Sequence, residues 1–262
     1  MTTPRPALIV GNWKMNGLLK DGLDRATLLA GRLGRAGRVP FELVICPPAT
    51  LLWPIAEAIR GSPLVLGAQD CHAEPAGAHT GDVSAAMLAD AGCRFVIVGH
   101  SERRAAHRES DVQVKTKAEA AIRHGLTAIL CVGEGSAERD RGQTFARVER
   151  QIAACLPAAA SAANTVIAYE PVWAIGSGRT PRPAEIEEVH GRLRAIAGSR
   201  LRDGGAPRVL YGGSVRRANA RDILSLAEID GVLVGGASLD ADEFWAIAEA
   251  SIRRGERAGG AA

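Results

Sequence analysis

Thr165-Val166-Ile167-Ala168-Tyr169-Glu170 is an apolar run without polar alternation that ends in a carboxylate. A strand with one wet face alternates polar and apolar residues. This run does not, so it reads as a strand of a parallel sheet covered on both faces. The same signature recurs in ALIVGN (7–12), FELVIC (41–46), PLVLGAQ (63–69), RFVIVGH (94–100), LTAILCVGE (126–134), PRVLYGG (207–213) and DGVLVGG (230–236). Helical patterns lie between them, as at 112–124, 185–201 and 241–253. Eight strands alternating with helices predict an α/β fold, a single (β/α)8 barrel. An open doubly wound sheet would show the same alternation, but no G-x-G-x-x-G opens the first unit, which weakens the nucleotide-binding form of that alternative.

Composition agrees with a soluble globular chain. Its 262 residues are 47% hydrophobic, 23% charged and 4% aromatic, enough to bury a large core. No linker interrupts the pattern, so one domain is expected over 1–262, with a core from about 5 to 255 and a frayed tail at 256–262. The net charge of +3 is scattered among helices and forms no stripe to track a nucleic-acid backbone. Cysteines at 46, 71, 93, 131 and 155 form no C-x-x-C pair and leave one over, which fits reduced thiols in the cytoplasm. The apolar stretch Ala7-Leu8-Ile9-Val10 is too short for a signal peptide, and no run is long enough to cross a bilayer.

Nearly every apolar run stops at a polar residue or a glycine pair: Asn12 and Lys14, Gln69, His100, Glu134, Glu170, Gly212-Gly213-Ser214 and Gly235-Gly236. In parallel strands these ends share one rim, where barrels of this kind place their chemistry. His, Lys and Glu beside two glycine-rich ends suit proton transfer on a small phosphorylated carbonyl compound. The phosphate would rest on backbone N–H groups at helix N-termini. After Glu170, an apolar segment bounded by Pro171, Gly176 and Gly178 reads as a semi-rigid flap that can exclude water. Each residue alone also has a plain structural reading: a strand end before proline, a core histidine, a solvated lysine, a glycine turn.

The segments GNWKMN (11–16), GHSERR (99–104), CVGE (131–134), YEPVWAIGSG (169–178), YGGSV (211–215) and VGGASL (234–239) change that balance. In this order, they resemble the triosephosphate isomerase family over almost the whole chain. The resemblance implies the TIM barrel and the interconversion of dihydroxyacetone phosphate and glyceraldehyde 3-phosphate. It makes Glu170 the base, His100 a neutral electrophile and Lys14 an electrostatic stabiliser, with no cofactor or metal. Asn12 would orient Lys14, and Glu102 would support the network. Gly176, Ser214, Gly235 and Gly236 would hold the phosphate, and Ser214 and Tyr211 would latch the shut lid, residues 171–181. Cys131 and Glu134 look like packing and supporting groups. A helix starting at Ser101 would point N–H groups at His100 and disfavour its cationic form.

Pro181 stands where the family usually has an alanine whose N–H meets the tyrosine hydroxyl, so that latch is in doubt. Gly77-Ala78-His79-Thr80-Gly81-Asp82-Val83-Ser84 resembles the loop that family members insert into a neighbouring subunit, which implies a homodimer. Here His79 replaces a bulky aromatic and Asp82 a glutamate, altering contacts to Arg103 of a second copy. His72, His79, His107, His124 and His190 read as ordinary structural histidines. Two alternatives remain: an isomerase of a four-carbon phosphorylated ketose, and a phosphate-binding barrel without catalysis.

Overall fold

The computed structural model describes residues 5–175 and 179–252. Eight strands form one closed, all-parallel barrel in sequence order: β1 Ala7–Asn12, β2 Phe41–Cys46, β3 Val65–Ala68, β4 Phe95–Val98, β5 Thr127–Val132, β6 Thr165–Tyr169, β7 Arg208–Tyr211 and β8 Gly231–Val234. The ring closes where β1 pairs with β8, Leu8 opposite Gly231 through Gly11 opposite Val234. Gly231 has φ 157°, and a Cβ there would sit 1.9 Å from the Leu8 carbonyl oxygen, so only glycine fits this seam.

Side-chain alternation divides each strand between two apolar layers. Leu8, Val10, Val44, Ile97, Ile129 and Leu233 belong to a cluster that fills the barrel, while Ile9, Leu43, Val96 and Val98 join the larger shell under the helices. Both faces are therefore apolar, which is why the strands read as unbroken runs. The first helix, Leu19–Ala36, shows the other period. Its buried Gly22, Ala26, Leu29, Ala30 and Leu33 form one stripe, and Gly37 at φ 66° ends it.

The expected run 41–46 matches β2 to the residue, whereas most other runs lose a residue or more at their ends. The trimmed positions include Gln69, His100, Glu134 and Glu170, polar residues that leave the ladder at the carboxyl rim. Helices lie at Asp111–Arg123, Pro183–Gly198 and Ala241–Glu249, close to the expected spans. The first is fixed by a capping box, with the Gln113 amide donating to Ser110 Oγ at 3.3 Å and the Ser110 amide to Gln113 Oε1 at 2.9 Å. All five cysteines are buried and unbridged. Among the described residues no helix is long and apolar enough to cross a membrane. Gly176, part of the expected flap and the expected tail lie outside the described residues.

Candidate active site

A cavity of about 390 Å³ opens at the carboxyl rim, with Asn12, Lys14, His100, Glu170, Ser214, Gly235 and Gly236 in its wall. These residues come from five separate strand ends, those of β1, β4, β6, β7 and β8, so barrel closure brings them together. Glu102 and Tyr211 stand behind the wall rather than in it: Glu102 reaches Lys14, and Tyr211 is fully buried at the end of β7.

Lys14 is held in an unusual backbone state. Its φ is 53°, a left-handed conformation costing a non-glycine residue about 1–2 kcal/mol. Two contacts hold it there: its N–H donates to Asn12 Oδ1 at 3.0 Å, and Gln69 Nε2 donates to its carbonyl at 2.7 Å. Asn12 thus orients Lys14 through the main chain. The ammonium is paired with Glu102 Oε1 at 2.5 Å. A Cβ on Gly235 would sit 3.2 Å from Lys14 Cε, so that glycine leaves room for the lysine stem.

His100 caps the short helix Ser101–Ala106, and its Nδ1 accepts the Glu102 N–H at 3.2 Å. An Nδ1 that accepts a hydrogen bond holds no proton, so the ring proton sits on Nε2. Nε2 lies 3.0 Å from Glu170 Oε1 and donates to it. The expected helix start is present, and its N–H group sets the tautomer.

Glu170 is 2% exposed and lies among several hydrogen-bond donors. Its Oε2 takes the Ser101 N–H at 2.9 Å, and Oε1 takes Ser101 Oγ at 3.0 Å in addition to the imidazole. Behind it, burial first and the Glu170 charge second push the Cys131 thiol up, so Cys131 stays protonated packing. A Cβ on Gly133 would lie 1.7 Å from the Glu170 carbonyl oxygen, a close approach that sets the main chain of the carboxylate.

The start of the expected lid is anchored. Trp173 Nε1 donates to Glu134 Oε1 at 2.8 Å, and Tyr169 Oη and Thr144 Oγ1 donate to the same oxygen at 3.1 and 3.3 Å. Burial raises the Glu134 pKa, opposed by its backbone, Trp173 and Tyr169. The guanidinium groups of Arg139 and Arg179 lie 5.1 and 4.9 Å from the Trp173 ring centre. At the far end, Pro181 is buried and has no N–H, and Tyr211 Oη has no hydrogen-bond partner among the described residues.

On the opposite wall, a Cβ on Gly236 would meet nothing within 4 Å, so its main chain faces open space at the start of the helical turn Gly236–Leu239. The Ser238 amide and hydroxyl both donate to the Gly235 carbonyl, at 2.8 and 2.6 Å, which fixes the start of that turn. Ser214 fixes the next helix by accepting Asn219 Nδ2 on its carbonyl at 3.0 Å. Sequence reading did not give Ser101 or Gln69 their tasks. Ser101 follows His100 inside GHSERR, and Gln69 ends a strand run, but their partners lie 69 and 55 residues away.

The triosephosphate isomerase family model matches residues 7–251. The triosephosphate isomerase of Afipia carboxidovorans is 55% identical over 244 residues, covering 93% of this chain and 96% of that protein. That of Rhodopseudomonas palustris is 53% identical over 245 residues, covering 92% and 96%. The crystal structure of triosephosphate isomerase from Bartonella henselae superposes with a TM-score of 0.86 at 42% identity, covering 94% of this chain and 98% of its own. This chain therefore belongs to the triosephosphate isomerase family.

Proposed function

We propose that the chain interconverts dihydroxyacetone phosphate and D-glyceraldehyde 3-phosphate, with Glu170 moving one proton between neighbouring carbons through an enediolate. The observation that carries this reading is the contact between the Glu170 carboxylate and His100 Nε2, 3.0 Å, at the edge of a cavity that also holds Lys14. A base and a proton donor within one hydrogen bond can serve adjacent atoms of a small substrate.

The base is parked. Ser101 donates to both of its oxygens and holds the carboxylate beside His100. Leaving Ser101 for the substrate carbon gives up those two donors, and a closing lid over residues 171–181 strips water from it. His100 Nε2–H polarises the carbonyl and then shuttles protons between the two enediolate oxygens. The Lys14 ammonium offsets the negative oxygen of the transition state and attracts the dianion. The amides around Ser214, Gly235 and Gly236, and Gly176 outside the described residues, would hold the phosphate. Each step is proton transfer or charge stabilisation and calls for no cofactor or metal.

The chain is read as one domain that acts as a cytoplasmic homodimer through the loop Gly77 to Ser84. In support, residues 74–82 are exposed, and Met15, Leu18 and Met87 leave 95%, 77% and 55% of their surface open. Arg103 is already paired with Asp70 and Glu109, at 2.9 and 2.6 Å, so Asp82 of a second copy would have to compete for it. A coupled assay on glyceraldehyde 3-phosphate tests the activity; absence of turnover in the wild-type protein would refute it. Sedimentation at micromolar concentration tests the dimer, which a lone 27.4 kDa species would rule out.

A further inference from the structure

We propose that the Arg216 guanidinium captures the substrate's phosphate dianion at the mouth of the cavity, with the Glu243 carboxylate opposing it, a role that rests on the reading of this cavity as a triose phosphate site. The wall carries two cations, Lys14 and Arg216, and three carboxylates, Glu170, Asp240 and Glu243. Such a balance repels a dianion unless most of the negative charge is committed elsewhere. The outcome depends on which of these charges are free.

Lys14, Glu170 and Asp240 are committed. Lys14 Nζ is paired with Glu102 Oε1 at 2.5 Å, so its charge is offset before any substrate arrives. Glu170 faces His100 Nε2 at 3.0 Å and takes both donors of Ser101. Asp240 caps the helix Ala241–Glu249, its Oδ1 accepting the Asp242 and Glu243 N–H groups at 2.8 and 2.9 Å. Those two bonds, with Arg25 and Arg32 behind them, hold its carboxyl below the usual range. Arg216 and Glu243 are left. Neither makes an ion pair among the described residues.

The main chain delivers Arg216 to the rim. It stands two residues after Ser214, in extended backbone at φ −138° and ψ 163°, just before the helix Arg217–Leu224. Its N–H donates to Asn219 Oδ1 at 2.8 Å, and Asn219 Nδ2 donates back to the Ser214 carbonyl at 3.0 Å. One asparagine thus ties Arg216 to the turn that carries the expected phosphate contact. The residue is exposed and is not part of the loop Gly77 to Ser84 that a dimer would bury. A guanidinium stays charged at every working pH and can meet two phosphate oxygens at once. Glu243 is half-buried in the first turn of its helix and shares the wall with Arg216. Attraction at the mouth acts alike on substrate and transition state, so it raises kcat/KM and leaves kcat alone.

Steady-state kinetics on glyceraldehyde 3-phosphate at low and high salt test the capture role, alongside calorimetric titration with inorganic phosphate. Arg216→Gln should lower kcat/KM by about 3–10-fold in dilute buffer, the scale of one unit charge acting on a dianion through water, with kcat unchanged. At about 0.5 M NaCl, where the screening length falls to about 4 Å, the loss should shrink to less than about twofold. Arg216→Lys keeps the charge and should recover most of the loss. Glu243→Gln should raise kcat/KM by about 2–3-fold in dilute buffer. Affinity for inorganic phosphate should follow the same order. No change in dilute buffer, a fall in kcat instead, or a loss of equal size at both salt levels would overturn the proposal. A wild-type chain that turns over no triose phosphate, yet binds inorganic phosphate in a salt-sensitive way that Arg216→Gln weakens, removes the isomerase reading and keeps the capture site. Turnover and phosphate affinity that both ignore the substitution do the reverse.

Discussion

Glu134 and Glu170 leave neighbouring strands at nearly the same height, because β5 and β6 pair with Val132 opposite Tyr169. Both are buried, at 0% and 2% exposure, and each accepts at least three hydrogen bonds. Their surroundings differ. The donors of Glu134 all meet one oxygen and come from the lid's Trp173 and from packed neighbours, so this carboxylate is a post for the lid. The donors of Glu170 share both oxygens and include an imidazole, and the group borders the cavity. On the proposed reading, access to the cavity and a proton donor beside it mark the base, and hydrogen-bond number does not.

The sharpest way to break this contrast is to neutralise each carboxylate in turn. Glu170→Gln should lower kcat by about 10³-fold or more, at the upper end of what a positioned general base supplies. Lys14→Met comes next, with kcat/KM down about 10²–10³-fold, the usual loss when one stabiliser of developing charge is removed. Activity near wild type in either variant would dissolve the proposed division of labour.

Two histidines extend the comparison. His100 faces the cavity, whereas His190 is fully buried between Tyr169 and Tyr211, with ring centres 5.8 and 6.3 Å away. Burial lowers the His190 pKa from 6.5 to about 3, opposed by the Glu228 carbonyl. The unfolded chain thus takes up this proton near pH 6.5 and the folded chain does not. Its contribution to stability is complete above that pH and is lost at about 1.4 kcal/mol per pH unit as the pH falls toward 3. Urea unfolding across this window should show a slope flatter by that amount in His190→Phe; identical slopes would show that the buried ring titrates normally.

The smaller effects concern the lid. Glu134→Gln keeps an acceptor oxygen for Trp173 and removes a charge that burial already disfavours, so turnover should stay within about tenfold of wild type, near 1.4 kcal/mol. Tyr211→Phe should cost least, because Pro181 has no N–H to give and the hydroxyl has no partner among the described residues. A loss above about a hundredfold, some 2.7 kcal/mol, would restore the latch.

The barrel was legible in the sequence because strands buried on both faces carry continuous apolar runs, as FELVIC shows at 41–46. The rim was legible because those runs end in Asn12, His100, Glu170 and the glycine pairs. What stayed hidden depends on contacts between distant segments. The left-handed turn at Lys14 exists because Gln69 arrives from another strand end, and the parked state of Glu170 exists because Ser101 does. The stacked pair of His72 and His79 was equally hidden, since it depends on how the loop between them folds residues seven apart onto each other.

Proton exchange gives the most direct reading of the division between the two carboxylates. Dihydroxyacetone phosphate incubated in D₂O with each protein and followed by NMR reports whether the carbon-bound proton is removed, independently of product release. Wild type and Glu134→Gln should incorporate deuterium next to the carbonyl, and Glu170→Gln should leave that carbon unlabelled. Labelling by Glu170→Gln at the wild-type rate would contradict the role of Glu170 as the base.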